Sequence, residues 1–214
     1  MATATRIRPT INDNQMPEIL DAIADSGIPY AAKITVEGTN TLLFDRYNQD
    51  EIDVKKALPK GHVGKKMVDP EAQVYRHPKS GNLAVPGIAF LNAIEDAAKY
   101  VQTVPGRLEH SCKPLVVDLV SLDGDDELVD VGAKTWDAID SKRISLGRGG
   151  ADSILRPAIL AGWRATFTLH VAVAGILPPS KLRECVVQAG QIKGIGAFRR
   201  VYGRFMVINF DYEI

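Results

Sequence analysis

A chain of 214 residues, 45% hydrophobic and 24% charged, can bury a core of ordinary size, which excludes a disordered protein. A formal net charge of zero argues against a uniformly basic nucleic-acid-binding protein. The two cysteines lie far apart and imply neither a zinc site nor a disulfide framework, and we find no signal-peptide or membrane-spanning apolar run. We therefore expect one soluble, cytoplasmic domain over residues 1–214.

Six regular elements stand out by their hydrophobic periodicity. Alternation of apolar and polar residues predicts strands, and apolar spacings of three or four residues predict helices. In chain order they are a strand over 30–44 with a bend or bulge at Gly38, a helix over 88–101, a strand over 114–120, a strand over 163–173, a helix over 178–189 and a strand over 204–210. This order predicts an α+β, ferredoxin-like domain with two helices on one face of an antiparallel sheet and long insertions.

Weaker patterns fill the intervals between these elements. They predict a short helix over 17–26 and short strands over 82–85, 127–131, 136–146 and 153–159. The strand at 127–131 is expected to pair with 114–120 across the turn-forming residues 123–125. Residues 1–16 are predicted to form a flexible arm, and the charged stretch 45–79 a long insertion loop.

The neutral total charge conceals two adjacent fields of opposite sign. Residues 142–204 contain eleven basic side chains and only two acidic ones. Residues 118–140 contain eight acidic side chains and a single lysine. The basic field predicts phosphate binding, and the acidic one predicts a hairpin edge that contacts the basic half of a neighbouring copy.

The most distinctive local feature is the sequence GQIKGIGAFRRVYGRF at 190–205, between a predicted helix and a predicted strand. Its glycines permit positive φ angles and close backbone approach, and its basic residues stand beside aromatic ones. Two interpretations are equally open: a loop that binds a nucleic-acid backbone, and a connection whose aromatic residues complete the core. A Rossmann fold is rejected because these glycines follow a helix and precede a strand.

Two segments resemble the RAMP superfamily of CRISPR systems, NLAVPGIAFLNAIEDAAK at 82–99 and GIGAFRRVYGRF at 194–205. Val85-Pro86-Gly87 matches the strand, Ile-Pro-Gly, helix signature of that family, and residues 194–204 match its glycine-rich basic loop. The segment KITVEGTNTLLF at 33–44 is similar to its first strand and to that of short phage-encoded relatives. The resemblance implies an RNA-recognition-like ferredoxin fold and assembly along single-stranded guide RNA.

We therefore expect a homo-oligomeric protein that binds single-stranded RNA or DNA, RNA first, and that is not an enzyme and needs no cofactor or metal. The candidate nucleic-acid-binding residues are Arg148, Arg156, Arg164, Lys193, Gly194, Gly196, Arg199, Arg200 and Arg204. One alternative is a metal-independent endoribonuclease, for which His62, His77 and Asp45 are the candidate groups. Another is a phage protein that mimics or inhibits a CRISPR-type complex.

Overall fold

The computed structural model describes residues 27–46, 53, 56–57, 69–103, 110–147 and 150–214. For 142–147 and 150–154 it describes the backbone alone. Within these ranges the strands are β1 Tyr30–Gly38, β2 Leu42–Leu43, β3 Tyr75–Arg76, β4 Leu83–Pro86, β5 Val120–Leu122, β6 Leu128–Asp130, β7 Ala138–Gly147, β8 Gly150–Ile159, β9 Arg164–Val171 and β10 Phe205–Glu213. The α-helices are α1 Gly87–Ala98, α2 Lys113–Leu119 and α3 Pro179–Gln188.

The central sheet has four antiparallel strands in the order β10–β1–β9–β5. Along the chain these strands and two of the helices follow one another as β1, α1, β5, β9, α3 and β10. This is the split βαβ connection, with the first and third strands side by side in the centre of the sheet. The predicted α+β, ferredoxin-like fold is therefore confirmed.

The two faces of this sheet differ because apolar residues alternate along its strands. On β1, Ile34 and Val36 are fully buried, whereas Lys33 on the opposite face is exposed. On β9, Phe167 faces the buried side, where it stacks on Phe90 of α1 with ring centroids 4.5 Å apart. Helices α1 and α3 pack against each other on this side. The two helices thus share one face, and the other face of β1 and β9 is polar.

Two smaller antiparallel sheets are built from the segments between these elements, with the orders β2–β8–β7 and β3–β4–β6. The long β7–β8 hairpin agrees with the strands predicted at 136–146 and 153–159. The predicted arm at 1–16 and the predicted helix at 17–26 lie outside the described residues, as does most of the predicted loop at 45–79.

The strand predicted over 114–120 is wrong. Residues Lys113–Leu119 form helix α2, and strand β5 begins only at Val120. Pro114 lies in the first turn of this helix, where its missing N–H costs no hydrogen bond. Because Val116 alone is fully buried in this short helix, the apolar run has no periodicity that separates helix from strand.

The predicted pairing of 127–131 with 114–120 is also wrong. Strand β6 lies beside β4, with Val129 opposite Val85. The cause is the preceding turn, in which Asp123 accepts the backbone N–H of Asp125 and caps a 3₁₀ turn at Gly124–Asp126. This turn directs the chain away from β5 and into a different sheet.

The long strand predicted over 30–44 is divided at Gly38. Strand β1 ends there, and β2 belongs to another sheet. A Cβ atom on Gly38 would lie 2.0 Å from the indole nitrogen of Trp163, so this close approach requires glycine. The irregularity in the β1–β10 pairing lies instead between Thr35 and Val36. The chain beyond Gly38 therefore crosses from one sheet to the next.

Cys112 and Cys185 are buried free thiols, and burial raises the pKa of each. Thiols of this kind are poor nucleophiles and metal ligands at neutral pH. Within the part of the chain that the structure describes, no helix is both long enough and apolar enough to cross a membrane.

Candidate nucleic-acid interface

Residues 38–46, which link the central sheet to the β2–β8–β7 sheet, are called the crossover segment here. The glycine-rich loop at 194–204 lies directly against this segment. Backbone hydrogen bonds of 2.8–2.9 Å join them, from Gly203 N–H to Thr41 O, from Ala197 N–H to Leu43 O and from Thr39 N–H to Arg204 O. The crossover segment therefore holds the loop along most of its length.

Gly194, Gly196 and Gly203 of this loop have positive φ angles of 71°, 75° and 68°. Glycine adopts such angles without strain. A Cβ atom on Gly196 would lie 2.5 Å from the carbonyl oxygen of Leu43, and one on Gly194 would lie 2.7 Å from that of Tyr202. These glycines thus permit contacts between backbones inside the protein, and a contact of Gly194 or Gly196 with nucleic acid stays a prediction.

Residues 198–202 form a tight turn, the loop tip. The N–H groups of Val201 and Tyr202 both donate to the carbonyl of Phe198, at 2.9 and 3.1 Å. Arg199 and Arg200 occupy the middle of the turn and are exposed. Because the turn is fixed by its own hydrogen bonds, these guanidinium groups can bind phosphate without the cost of ordering the loop first.

Arg204 follows the loop tip, contacts its backbone and is half-buried. Its backbone N–H donates to Oδ1 of Asn40 at 2.7 Å, and its guanidinium Nη2 donates to the carbonyl of Arg200 at 2.9 Å. Asn40 also donates its Nδ2 to the carbonyl of Val201 at 2.5 Å. Arg204 and Asn40 thus fix the backbone at Arg200 and Val201, and direct phosphate contact by Arg204 stays a prediction.

Arg156, near the end of β8, is largely buried, with 11% of its side chain exposed. Its Nη2 donates to a carboxylate oxygen of Asp45 at 3.0 Å. Its guanidinium carbon lies 4.7 Å from the ring centroid of Phe198. This predicted phosphate contact therefore lies beneath the loop tip, where it supports the ring of Phe198.

Arg164 is not part of this group. Arg164 begins β9 on the exposed face of the central sheet and pairs with Glu37 at 2.7 Å. Glu37 directly precedes the crossover segment, so Arg164 lies at the same end of the sheet as the loop. Arg148 lies outside the described residues.

Lys193 lies on a π-helical turn, Ala189–Lys193, that extends α3. Its Nζ is 5.7 Å from the ring centroid of Tyr100, and Nζ of Lys99 is 4.8 Å from the same centroid. Tyr100 is exposed, and an exposed aromatic ring beside two ammonium groups suits the binding of a nucleotide. Tyr100 is not among the residues predicted from the sequence, although a basic residue, Lys99, stands directly before it.

The residues considered for RNA cleavage are engaged within the protein. Asp45 is paired with Arg156, and Nδ1 of His77 lies 3.1 Å from the hydroxyl oxygen of Ser80. His62 lies outside the described residues. These contacts give no support to an acid–base pair built from Asp45 and His77. Among the described residues, no group of three or more His, Cys, Asp or Glu side chains is placed to hold a metal ion.

Acidic residues of the 118–140 stretch also have partners within the protein. Asp126 accepts the backbone N–H of Thr168 at 2.5 Å. Asp123 accepts a hydrogen bond from the ring of His170 at 2.7 Å, which holds the pKa of Asp123 below its ordinary value. The acidic stretch therefore anchors the 3₁₀ turn to β9, in addition to any contact with a neighbouring copy.

Comparison with known proteins gives matches only at the level of structure. No family model matches the sequence, and no curated protein matches it. A cryo-EM structure of the Type III-B Cmr-beta bound to cognate target RNA contains a similar chain, with a TM-score of 0.49, 10% identity, and coverage of 94% of this chain and 66% of that one. Cmr6 from Pyrococcus furiosus is similar with a TM-score of 0.46, 12% identity, and coverage of 85% of this chain and 98% of that one. At such identities the function has to be inferred from this chain's own residues.

Proposed function

We propose that this protein binds single-stranded nucleic acid, RNA in preference to DNA, through its glycine-rich loop. The observation that carries the proposal is the pair of exposed arginines, Arg199 and Arg200, on a turn held in place by the crossover segment. A guanidinium group suits phosphate because it donates two parallel hydrogen bonds. The buried Arg156 and the half-buried Arg204 support this turn from inside the protein.

The open face of the central sheet is the other surface to consider. RNA-recognition domains of this fold stack bases on aromatic residues of that face. Here the outward positions of β1 and β9 carry no Phe, Tyr or Trp ring. They are Ala31, Lys33, Thr35, Glu37, Arg164, Thr166, Thr168 and His170, and the His170 ring is bonded to Asp123. The loop rather than this part of the sheet is therefore the proposed site.

The test is a titration of a labelled single-stranded RNA at several salt concentrations. If about five phosphates are contacted, log affinity should fall against log salt with a slope of roughly −3 to −4. Replacing Arg199 and Arg200 together by alanine should weaken binding by at least about tenfold and make the slope shallower by about 1.4. Since both side chains are exposed, each change should alter stability by no more than about 0.5 kcal/mol.

The matched control is Lys113→Ala/Lys134→Ala, which removes the same charge from two exposed positions outside the basic field at 142–204. Wild-type affinity in the Arg199→Ala/Arg200→Ala variant, or an equal loss in the control, would exclude the loop as the site. A flat salt response of the wild type would exclude phosphate binding altogether. A DNA strand of the same sequence tests the preference for RNA, because it lacks the 2′-hydroxyl.

We further propose that copies of the chain assemble along the bound strand. The exposed acids Asp118 and Glu127 lie outside the basic field at 142–204, so one copy can present acids to the basic field of the next. Such oligomers should dissociate as salt rises, because exposed charges are screened over about 8 Å at physiological ionic strength. Sedimentation velocity measures this, and Asp118→Asn/Glu127→Gln should favour the monomer. A strict monomer at low salt, with and without RNA, would contradict the assembly.

We also propose that binding is not followed by cleavage. The ion pair between Asp45 and Arg156 supports this, because it occupies a carboxylate considered for cleavage. Labelled RNA incubated with the protein and a chelator should stay intact, whereas cleavage products would establish the endoribonuclease alternative. Binding to protein alone, without RNA, would favour a phage-encoded mimic or inhibitor of a CRISPR-type complex.

A relationship to RAMP proteins, in the short form that phages encode, belongs to this proposal. The strand order of the central sheet supports it, as does the basic glycine-rich loop between α3 and β10. The buried free thiols suit a reducing cytoplasm. Purification without nuclease, followed by sequencing of any retained RNA, would show whether that RNA resembles a guide.

A further inference from the structure

Phe198, at the start of the loop tip, has an unusual conformation for an aromatic residue. Its φ is 50°, in the left-handed region that bulky residues rarely occupy. Of its surface, 41% is exposed. This backbone conformation costs free energy, and strain of this kind is concentrated at functional sites.

One face of the Phe198 ring is covered by Arg156, whose guanidinium carbon lies 4.7 Å from the ring centroid. The exposed part of Phe198 therefore belongs to the opposite face and to the ring edge. Arg156 is itself held by Asp45 at 3.0 Å, and only 11% of its side chain is exposed. One face of the ring thus packs on a guanidinium group that is held in place, and the other face is exposed to solvent.

We propose that Phe198 is a stacking platform for one nucleobase, whose neighbouring phosphates are bound by Arg199 and Arg200. This inference rests on the proposed function and adds the residue that contacts a base. Every nucleobase has a π face, so a platform of this kind binds single strands without preference for sequence. Arg156 and Asp45 act through Phe198 as positioning residues, because they fix the plane of the ring from below.

The experiment compares Phe198→Ala with the wild type in the titration of a labelled single-stranded RNA over a range of salt. Loss of one stacked base should weaken binding roughly 5- to 100-fold at every salt concentration. The slope of log affinity against log salt should equal that of the wild type, because no charge is removed. The Arg199→Ala/Arg200→Ala variant, in contrast, should show a shallower slope.

Three further variants separate stacking from a general apolar contact. Val201→Ala removes a 65% exposed apolar side chain from the same turn and should bind as the wild type does. Phe198→Leu keeps an apolar side chain without a π face, so it should lose nearly as much affinity as Phe198→Ala. Phe198→Trp keeps a ring, so it should bind at least as tightly, with fluorescence quenched by RNA beyond any change in the wild-type tryptophans.

Wild-type affinity in Phe198→Ala or in Phe198→Leu would overturn the platform. The proposed function would survive that result as long as the wild type binds RNA and the Arg199→Ala/Arg200→Ala variant binds it more weakly. Failure of the wild type to bind would instead overturn the proposed function, and the platform with it. If Phe198→Ala does not fold, the leucine and tryptophan variants give the answer.

Discussion

Replacing Gly203 by alanine is expected to destabilise the protein by about 2–5 kcal/mol, a large part of the roughly 5–15 kcal/mol that holds most domains folded. A Cβ atom on Gly203 would lie 1.9 Å from the carbonyl oxygen of Ile195, far inside contact distance. The positive φ of 68° adds a strain of about 1–2 kcal/mol, and overpacking adds about 1–3 kcal/mol.

The backbone around Gly203 cannot move aside without further loss. Its N–H donates to the carbonyl of Thr41 at 2.8 Å, and its carbonyl accepts the N–H of Ile195 at 3.0 Å. A shift that relieves the clash would break these bonds, of which the first connects the loop to the crossover segment and the second closes the loop on itself. The loss should therefore appear in both stability and RNA affinity.

Gly81→Ala is the matched control, because Gly81 has nearly the same φ, 71°, but open space where its Cβ would stand. It should cost only the conformational strain, about 1–2 kcal/mol. Thermal melting of both variants measures the difference, and Gly203→Ala should melt several degrees below Gly81→Ala. Equal melting temperatures of the two variants would contradict the close approach of Gly203 to the carbonyl oxygen of Ile195.

The central sheet was predictable because its signals are local. Apolar and polar residues alternate along β1 and β9, and apolar residues recur at helical spacing in α1 and α3. Each pattern arises because one face of the element is buried, and it is visible within about a dozen residues. The order of the six elements then leaves few topologies. The strand predicted over 114–120 failed where such a pattern is missing, because a seven-residue helix with one buried position has no readable period.

The roles of the arginines were not predictable because they depend on partners distant in sequence. Arg156 meets Asp45, which is 111 positions away, and Arg164 meets Glu37, which is 127 positions away. A count of basic residues treats these side chains and the exposed Arg199 as equivalent. The packing of the loop on the crossover segment decides which of them faces solvent. The amino-acid composition does not reveal that packing.

The second large effect is expected in the core, where Phe90→Ala should lower the free energy of unfolding by about 3–5 kcal/mol. Phe90 is fully buried, and its ring centroid lies 4.5 Å from that of Phe167 and 5.9 Å from that of Phe205. Removing the ring leaves a cavity between α1 and two strands of the central sheet. That cavity cannot close easily, because β9 and β10 are both hydrogen-bonded to β1.

Urea denaturation measures this cost, and the midpoint should fall while the slope with urea stays constant. Ile88→Ala, at a 51% exposed position on the same helix, should change stability by no more than about 0.5 kcal/mol. Both substitutions lie on α1 and both introduce alanine, so the difference between their free energies of unfolding measures the packing of α1 on the sheet. Equal midpoints for the two variants would contradict that packing, since an exposed and a fully buried position would then contribute the same.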